Sequence, residues 1–428
     1  VPTAISFSGA CRSYLAPAVS TDSERLALGR LGALLLDAGL SVTEVSARVS
    51  NVAESVGVDD VTVSVLPADI FVADRETGVM SAVKSTGEEL SMRQTALSVR
   101  LVGRIIGGVV AFADVQDRIE QVRARRRHYP AAGGIAGACL ISTGMAIVFR
   151  CPWWAILSSL IIGALVGLGI AAIRKSPASI AVLPFVMAFG TTVLVGLADR
   201  TFDLGPVPLF AVCAPVAILV PGALITNALL ELTAADVVTG ASRLMYGVAM
   251  LGFMTAGIRV GADVSGVELD VASAAKLAQA PRLENAADAW QALPPVWMSW
   301  FGVIVLAVGL GLAFGAGYRL SGVALIVMLG VYGVLTALEP IIGDVAAFGV
   351  IAGVTYLASQ AVERFWSDIP SVVFFYPAFL LLVPGTVGLV SLTSSDPGAI
   401  ATALGTFISL CVGIKVGELL AGLRLRAD

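Results

Sequence analysis

The spacing of apolar positions changes twice along this chain. Between residues 22 and 58 they recur at helical intervals: Leu26, Leu28, Leu31, Leu34, Leu35 and Ala38, then Val45, Val49, Val52 and Val56. The first run stops at Asp37-Ala38-Gly39, where glycine suits a helix end, and Ser41 or Thr43 caps the second. Residues 61–66 alternate instead (Val-Thr-Val-Ser-Val-Leu) and predict a strand. Pro67-Ala68-Asp69 separates it from a second strand over Ile70–Ala73, and residues 78–84 add a third. Residues 88–127 read mostly as helix and close on a basic run, Arg123, Arg125, Arg126 and Arg127. Together these elements predict a small cytosolic α+β domain over residues 20–129.

From Pro130 onward polar positions become sparse. Ten apolar stretches follow, at 131–149, 153–173, 179–198, 207–229, 239–260, 296–315, 318–337, 342–361, 370–393 and 398–421. Each has about the 17–25 residues that a bilayer crossing needs. Pro152, Pro177, Gly205-Pro206, Pro294-Pro295, Pro340 and Pro397 punctuate the joints. Composition agrees with this pattern. Apolar residues make up 57% of the 428, against roughly 45–50% in a soluble domain, and mean hydropathy is +0.90.

The basic residues orient the spans. With the run at 123–127 in the cytosol, the loops holding Arg174, Lys175, Arg243, Arg319, Arg364, Arg424 and Arg426 are cytosolic too. The opposite loops hold Arg200, Lys276 and Arg282, plus Arg150 at a helix end, but are mainly acidic or neutral. An even number of crossings with both termini inside follows, in a cell membrane. Residues 1–19, broken by Pro2, Arg12 and Pro17, make a poor signal peptide and read as a disordered or loosely docked arm. The sequence opens on Val1 rather than Met, as a chain lacking its natural start would.

Two Pro-Gly breaks organise the apolar region, Val220-Pro221-Gly222 and Val383-Pro384-Gly385. Proline removes a helical hydrogen bond and clashes with the preceding turn. In lipid such a break survives where protein or a water-filled cavity satisfies the freed backbone. The surrounding segments are alike, and other motifs keep the same order. Gly257-Ile-Arg-Val-Gly261 matches Gly413-Ile-Lys-Val-Gly417, Gly240 and Gly247 fall opposite Gly398 and Gly405, and Phe189-Gly190 falls opposite Phe348-Gly349. Residues 130–260 and 296–428 therefore read as two five-helix repeats joined by an extracytoplasmic linker, 261–295, with a short amphipathic helix near Ala272–Ala280. Five is odd, so the second copy is expected upside down. Inverted repeats place a transport site at their interface. Convergent glycine-rich packing is the competing account. The expected fold is a mainly α membrane protein: ten transmembrane helices in two inverted five-helix repeats after a small cytosolic α+β domain.

Leu28-Gly29-Arg30-Leu31, Leu36-Asp37-Ala38-Gly39, Val42-Thr43-Glu44-Val45 and Ser64-Val65-Leu66-Pro67 stand in the head. Pro221-Gly222, Asn227, Glu231-Leu232, Gly240 and Arg243-Leu244 stand in the apolar region. In this order they resemble the threonine/serine exporter (ThrE) family. The resemblance implies a cytosolic N-terminal domain, ten helices in two halves, and efflux of small amino acids driven by the proton-motive force. Related proteins with each half on a separate chain are linked to dicarboxylate export, so succinate-like substrates are the alternative.

Ionisable groups inside apolar spans are costly and are functional candidates by default. Arg259 and Lys415 occupy equivalent repeat positions, where a cation meets a substrate carboxylate, or else snorkels to a helix end. Asn227 and Glu231, four apart, share a helix face beyond Pro221. Asn227 is a substrate hydrogen-bonding candidate. Glu231 either meets the ammonium group or carries the coupled proton, with Glu418 a second acidic candidate. Alternatively Glu231 sits in water at a helix end, paired with Arg243. Pro221, Gly222, Pro384 and Gly385 contribute backbone at the breaks. Thr226, Tyr376 and Thr386, with Tyr246, are neutral candidates for a hydroxylated substrate.

The net charge of −4 gives no nucleic-acid footprint. Five scattered cysteines suggest neither a disulfide framework nor zinc. The single histidine, His128, stands beside the arginine run with no nucleophile motif near it, so an enzyme is not expected and no cofactor or metal is implied. The expected partners are a small amino acid, protons and membrane lipid, the arginine run facing anionic headgroups, with a homo-oligomer possible. A channel or a membrane-tethered hydrolase ranks behind a transporter.

Overall fold

Helix ends in the head are written locally in the sequence. Thr21 Oγ1 accepts from Glu24 N at 3.3 Å while Thr21 N donates to Glu24 Oε2 at 2.8 Å, a reciprocal cap that starts α1 (Asp22–Asp37). Gly39 takes φ +83° after it, and Ser41 caps α2 (Val42–Ser55). The structure, a computed structural model, describes residues 20–125, 131–173, 177–205, 207–270, 290–365, 377–378, 381–382, 385–394 and 397–425.

The three expected strands form one antiparallel sheet in sequence order: β1 (Val61–Val65), β2 (Asp69–Asp74) and β3 (Met80–Lys84). Helix α1 lies on β2 and β3, so close that a methyl group on Gly29 would meet Val83 at 2.6 Å. Leu28, Leu31, Leu35, Val45, Val49, Ile70 and Val72 are fully buried between helices and sheet. The described part of residues 88–127 is mostly helix, as expected, but in two pieces. Helix α3 (Met92–Ile106) stops at Gly107-Gly108, where Gly108 has φ +67°, and a 3-10 turn leads into α4 (Val115–Ala124). Gly107, at φ −75°, closes the helix and Gly108, at positive φ, turns the chain away although apolar residues flank both.

Beyond the head the structure is almost wholly helical. In the first half, α5 (Ala131–Val148), α6 (Trp153–Ile173) and α7 (Pro177–Phe202) precede the first Pro-Gly break. There the expected single span 207–229 becomes α8 (Leu209–Cys213), a 3-10 turn (Ala214–Leu219) and α9 (Gly222–Thr233), followed by α10 (Val237–Ser265). Helices Met298–Ala313, Tyr318–Ile342, Asp344–Phe365, Gly385–Ser394 and Pro397–Leu425 make up the second half. Seven described helices are long and apolar enough to cross a bilayer, and the bent pair 209–219 and 222–233 counts as an eighth. Met298–Ala313 is apolar but has 16 residues, about 24 Å at 1.5 Å per residue against a hydrocarbon core of roughly 30 Å. The expected span 370–393 lies largely outside the described residues, as does the linker helix at 272–280. Ten crossings are thus not reached among the described residues; the helices suit a multi-pass membrane protein. A short parallel pair, Val207–Pro208 with Leu269–Asp270, escaped the sequence reading because two-residue strands carry no periodicity.

Three seams hold the helices together, and glycine makes each. Helix α5 packs along Met298–Ala313, where a methyl group on Gly144 would meet Leu306 N at 2.6 Å and one on Gly309 would meet Ile141 N at 2.7 Å. Helix α10 packs on α7 through Gly257, against Phe185 O, and Gly261, against Thr192 and Phe189 O. Pro397–Leu425 packs on Asp344–Phe365 through Gly413 and Gly417, against Gly349 O and Gly353 O. Without a Cβ the backbones approach closely, which substitutes for a hydrophobic drive that lipid does not supply.

Candidate functional site

The first Pro-Gly break lies deep in the helical bundle. Val207, Leu209, Ala211, Val212, Cys213 and Val216 are fully buried. Val220 is extended (φ −67°, ψ 122°), Pro221 has φ −79° and ψ 47°, and the axis turns by 70°. Pro221 brings no N–H, so the ladder is interrupted; Gly222 N turns back on Val220 O at 2.8 Å, and the ladder restarts with Ile225 N donating to Pro221 O at 3.1 Å. A side chain repairs part of the interrupted backbone upstream. Ser142 Oγ, on α5, lies 2.9 Å from Ala138 O and 3.0 Å from Pro215 O and donates between them. Ser142 was not among the sequence candidates, since a serine in an apolar helix carries no signal of its own.

Of the expected site residues, Pro221, Gly222 and Thr226 sit together at the break and are buried. Thr226 Oγ1 donates to Gly222 O at 3.1 Å, within its own helix. Asn227 and Glu231 share a face, as their spacing predicts, but that face meets the head. Asn227 Nδ2 donates to Gly39 O at 3.3 Å. Glu231 is fully buried. Its Oε1 accepts from Val42 N at 2.9 Å and pairs with Arg243 Nη1 on α10, while Oε2 is buried with no hydrogen-bond partner among the described residues. Next to it Asp236 Oδ2 accepts from Thr43 Oγ1 at 2.9 Å. The Arg243 pair was one of the sequence alternatives; a water-exposed Glu231 was its companion, and burial corrects it. Here the carboxylate closes the first turn of α2, where backbone N–H groups lack helical partners and the helix dipole favours an anion.

The remaining candidates are not gathered at this place. Arg259 Nη2 donates to Thr393 O at 2.9 Å, near the end of Gly385–Ser394, so a cation of the first half meets carbonyls of the second. Lys415 Nζ lies 2.9 Å from Glu418 Oε2, its neighbour one turn on, and Glu418 is exposed. Gly385 opens the helix Gly385–Ser394 and Thr386 stands in its first turn. Pro384 and Tyr376, and with them the second break, lie outside the described residues. Tyr246 is exposed.

Sequence reasoning missed the head's share of this arrangement, residues Gly39, Val42 and Thr43. A signal was present. Leu36–Gly39 with Val42–Val45, and Asn227 with Glu231 and Arg243, were singled out separately, and the fold brings the two groups face to face.

A family model, ThrE, described as "Putative threonine/serine exporter", matches residues 27–265. The match covers more than half of the chain, from α1 through α10, and so includes both sides of the contact between head and broken span. Comparison with curated proteins and with solved structures found no match.

Proposed function

Because the chain belongs to the threonine/serine exporter (ThrE) family, a family of transporters rather than enzymes, we propose that it is a secondary exporter of small polar amino acids, threonine and serine foremost. It works by alternating access in a cell membrane, as an antiporter drawing on the proton-motive force. The observation that carries this reading is the 70° break at Pro221 inside the bundle. A half-helix that starts at Gly222 offers partial positive charge to a substrate carboxylate, and the carbonyls of the 3-10 turn before it suit an ammonium group. Pro221, Gly222 and Thr226, with Asn227 at the edge, form the first half's share of the site. Tyr376, Pro384, Gly385 and Thr386 form the second half's.

Several contacts support two related halves, one inverted. The seam of α7 with α10 and that of Asp344–Phe365 with Pro397–Leu425 use corresponding glycines, Gly257 and Gly261, then Gly413 and Gly417. Contacts also cross reciprocally: α10 touches Gly385–Ser394, and α9 touches Pro397–Leu425. Arg259 and Lys415 then serve the substrate carboxylate on opposite sides of the cycle. Glu231, the buried carboxylate, carries the coupled proton; Glu418, already facing water, is less suited.

Counterflow in proteoliposomes tests this. Threonine and serine loaded inside are expected to drive saturable uptake of labelled threonine. Faster exchange of succinate would move the substrate to dicarboxylates, and no exchange of any of the three would end the exporter reading. Glu231→Gln is expected to flatten the pH dependence of transport; an unchanged profile removes Glu231 as proton carrier.

A further inference from the structure

The head is fastened to both halves of the membrane region, and the two fastenings differ in kind. On the second half, Met92 N at the start of α3 donates to Phe314 O at 2.8 Å. There Met92, Ala96 and Ala316 are buried together, flanked by Phe314 from the turn after Met298–Ala313 and by Leu320 in the first turn of Tyr318–Ile342. On the first half the contact is polar. Gly39, Val42 and Thr43 meet Asn227, Glu231 and Asp236 through three hydrogen bonds of 3.3, 2.9 and 2.9 Å. A body tied to two parts cannot stay tied to both if those parts move against each other. The tie that yields is the one whose groups water can replace. Carboxylate, amide and hydroxyl groups released from these contacts regain hydrogen bonds from water, so most of what each bond contributes is returned. An apolar contact gives up burial that water does not compensate.

We propose that the head is the transporter's cytosolic gate: it stays anchored to the second half through Met92, and transport requires α2 to let go of Glu231 and Asp236. The position of Glu231 fits this task. It lies nine residues beyond Gly222 on the half-helix that begins at the break, about 14 Å along its axis. Motion of α9 is therefore delivered to Val42. Arg243 stays with Glu231 on the membrane side, so the carboxylate keeps a cation when the head leaves and is not stranded as a lone buried charge. Once the contact opens, the Val42 N–H at the start of α2 and the face of α9 bearing Asn227 turn to the cytosol, and the path to the break is uncovered. This inference rests on the exporter reading.

The test uses two cysteine pairs in full-length protein whose own cysteines are replaced by alanine. Thr43→Cys with Asp236→Cys ties the polar contact, and Met92→Cys with Ala316→Cys ties the apolar one. Each is closed with a short reducible bis-methanethiosulfonate and assayed by threonine counterflow before closure, after it, and after reduction. Closing 43–236 is expected to lower counterflow at least tenfold, with recovery on reduction, while closing 92–316 leaves it within twofold. Undiminished transport with 43–236 fully closed overturns the gate and leaves the exporter intact. Loss with either pair closed overturns the division into anchor and gate. If wild-type protein exchanges none of threonine, serine and succinate, the exporter reading fails instead. The contact is then judged, as it is if the cysteine pairs do not assemble, by hydrogen exchange at residues 42–45. Glu231→Ala is expected to speed exchange there at least tenfold while residues 92–96 hold their rate. Equal rates at 42–45 overturn the contact itself.

Discussion

Asp74 shows how much a single carboxylate can organise. Its two oxygens accept from Ser20 N and Oγ, Glu76 N, and Thr77 N and Oγ1. The Ser20 hydroxyl, and after it the Thr77 amide and hydroxyl, hold its carboxyl well below the usual carboxylate range. A depressed native value means that the unfolded chain binds the proton first as pH falls. The stabilisation is therefore fully present above about pH 4 and drains away below it. Pulsed proteolysis of the full chain is expected to show the turn between β2 and β3 opening as pH drops from about 4 toward 2. Asp74→Asn, which replaces an acceptor oxygen by a donor, should loosen the turn already at pH 7 and reduce the further acid loss. Little of this was legible beforehand, since an aspartate ending a strand draws no notice. Glu231 was legible as an unusual acid, and its i, i+4 relation to Asn227 held. Its partner was not, because Val42 lies 189 residues away and offers only a backbone N–H.

Among the helices, glycine decides which faces touch. Gly413 admits Gly349 so closely that any Cβ there meets its carbonyl oxygen, whereas Gly252 on α10 has open space around it. Gly413→Val is expected to cost about 1–3 kcal/mol or more through overpacking, seen as a lower midpoint of thermal unfolding in detergent. Gly252→Ala should leave that midpoint unchanged or slightly raised. The same logic marks what the apolar pattern could and could not foretell. Gly257 and Gly261, with Gly413 and Gly417, were singled out in the sequence and do lie in helix seams, and the Pro221 break was recognisable as a break. Its angle was not, because 70° is set by what packs around the 3-10 turn, Ser142 included. The stop at Gly107-Gly108 was not marked within a stretch read mostly as helix, because a glycine's φ is not written in the apolar pattern.

For the molecule as a whole, the contact of α5 with Met298–Ala313 has the most consequence, since it joins the leading helix of one half to the leading helix of the other. Two halves held by such a seam should find each other without a covalent tie. Cutting the chain within 271–289 and co-expressing the pieces is expected to give halves that co-purify on a tag carried by one, with threonine counterflow retained. Gly144→Leu should abolish that co-purification. This level of organisation was only partly readable. Hydropathy located the apolar stretches, but nothing local says that the first stretch and the sixth lie backbone to backbone.

That seam also constrains how the molecule can move. Two rods in contact at their main chains at Gly144 and Gly309 have no room to compress there, and drawing them apart forfeits the close packing that joins them. What remains is rolling about the line of contact. Such a line is a fulcrum: displacement grows with distance from it, so a few degrees of roll that barely disturb α5 become ångströms at the far ends of the lever, where the bent helix and the head are joined.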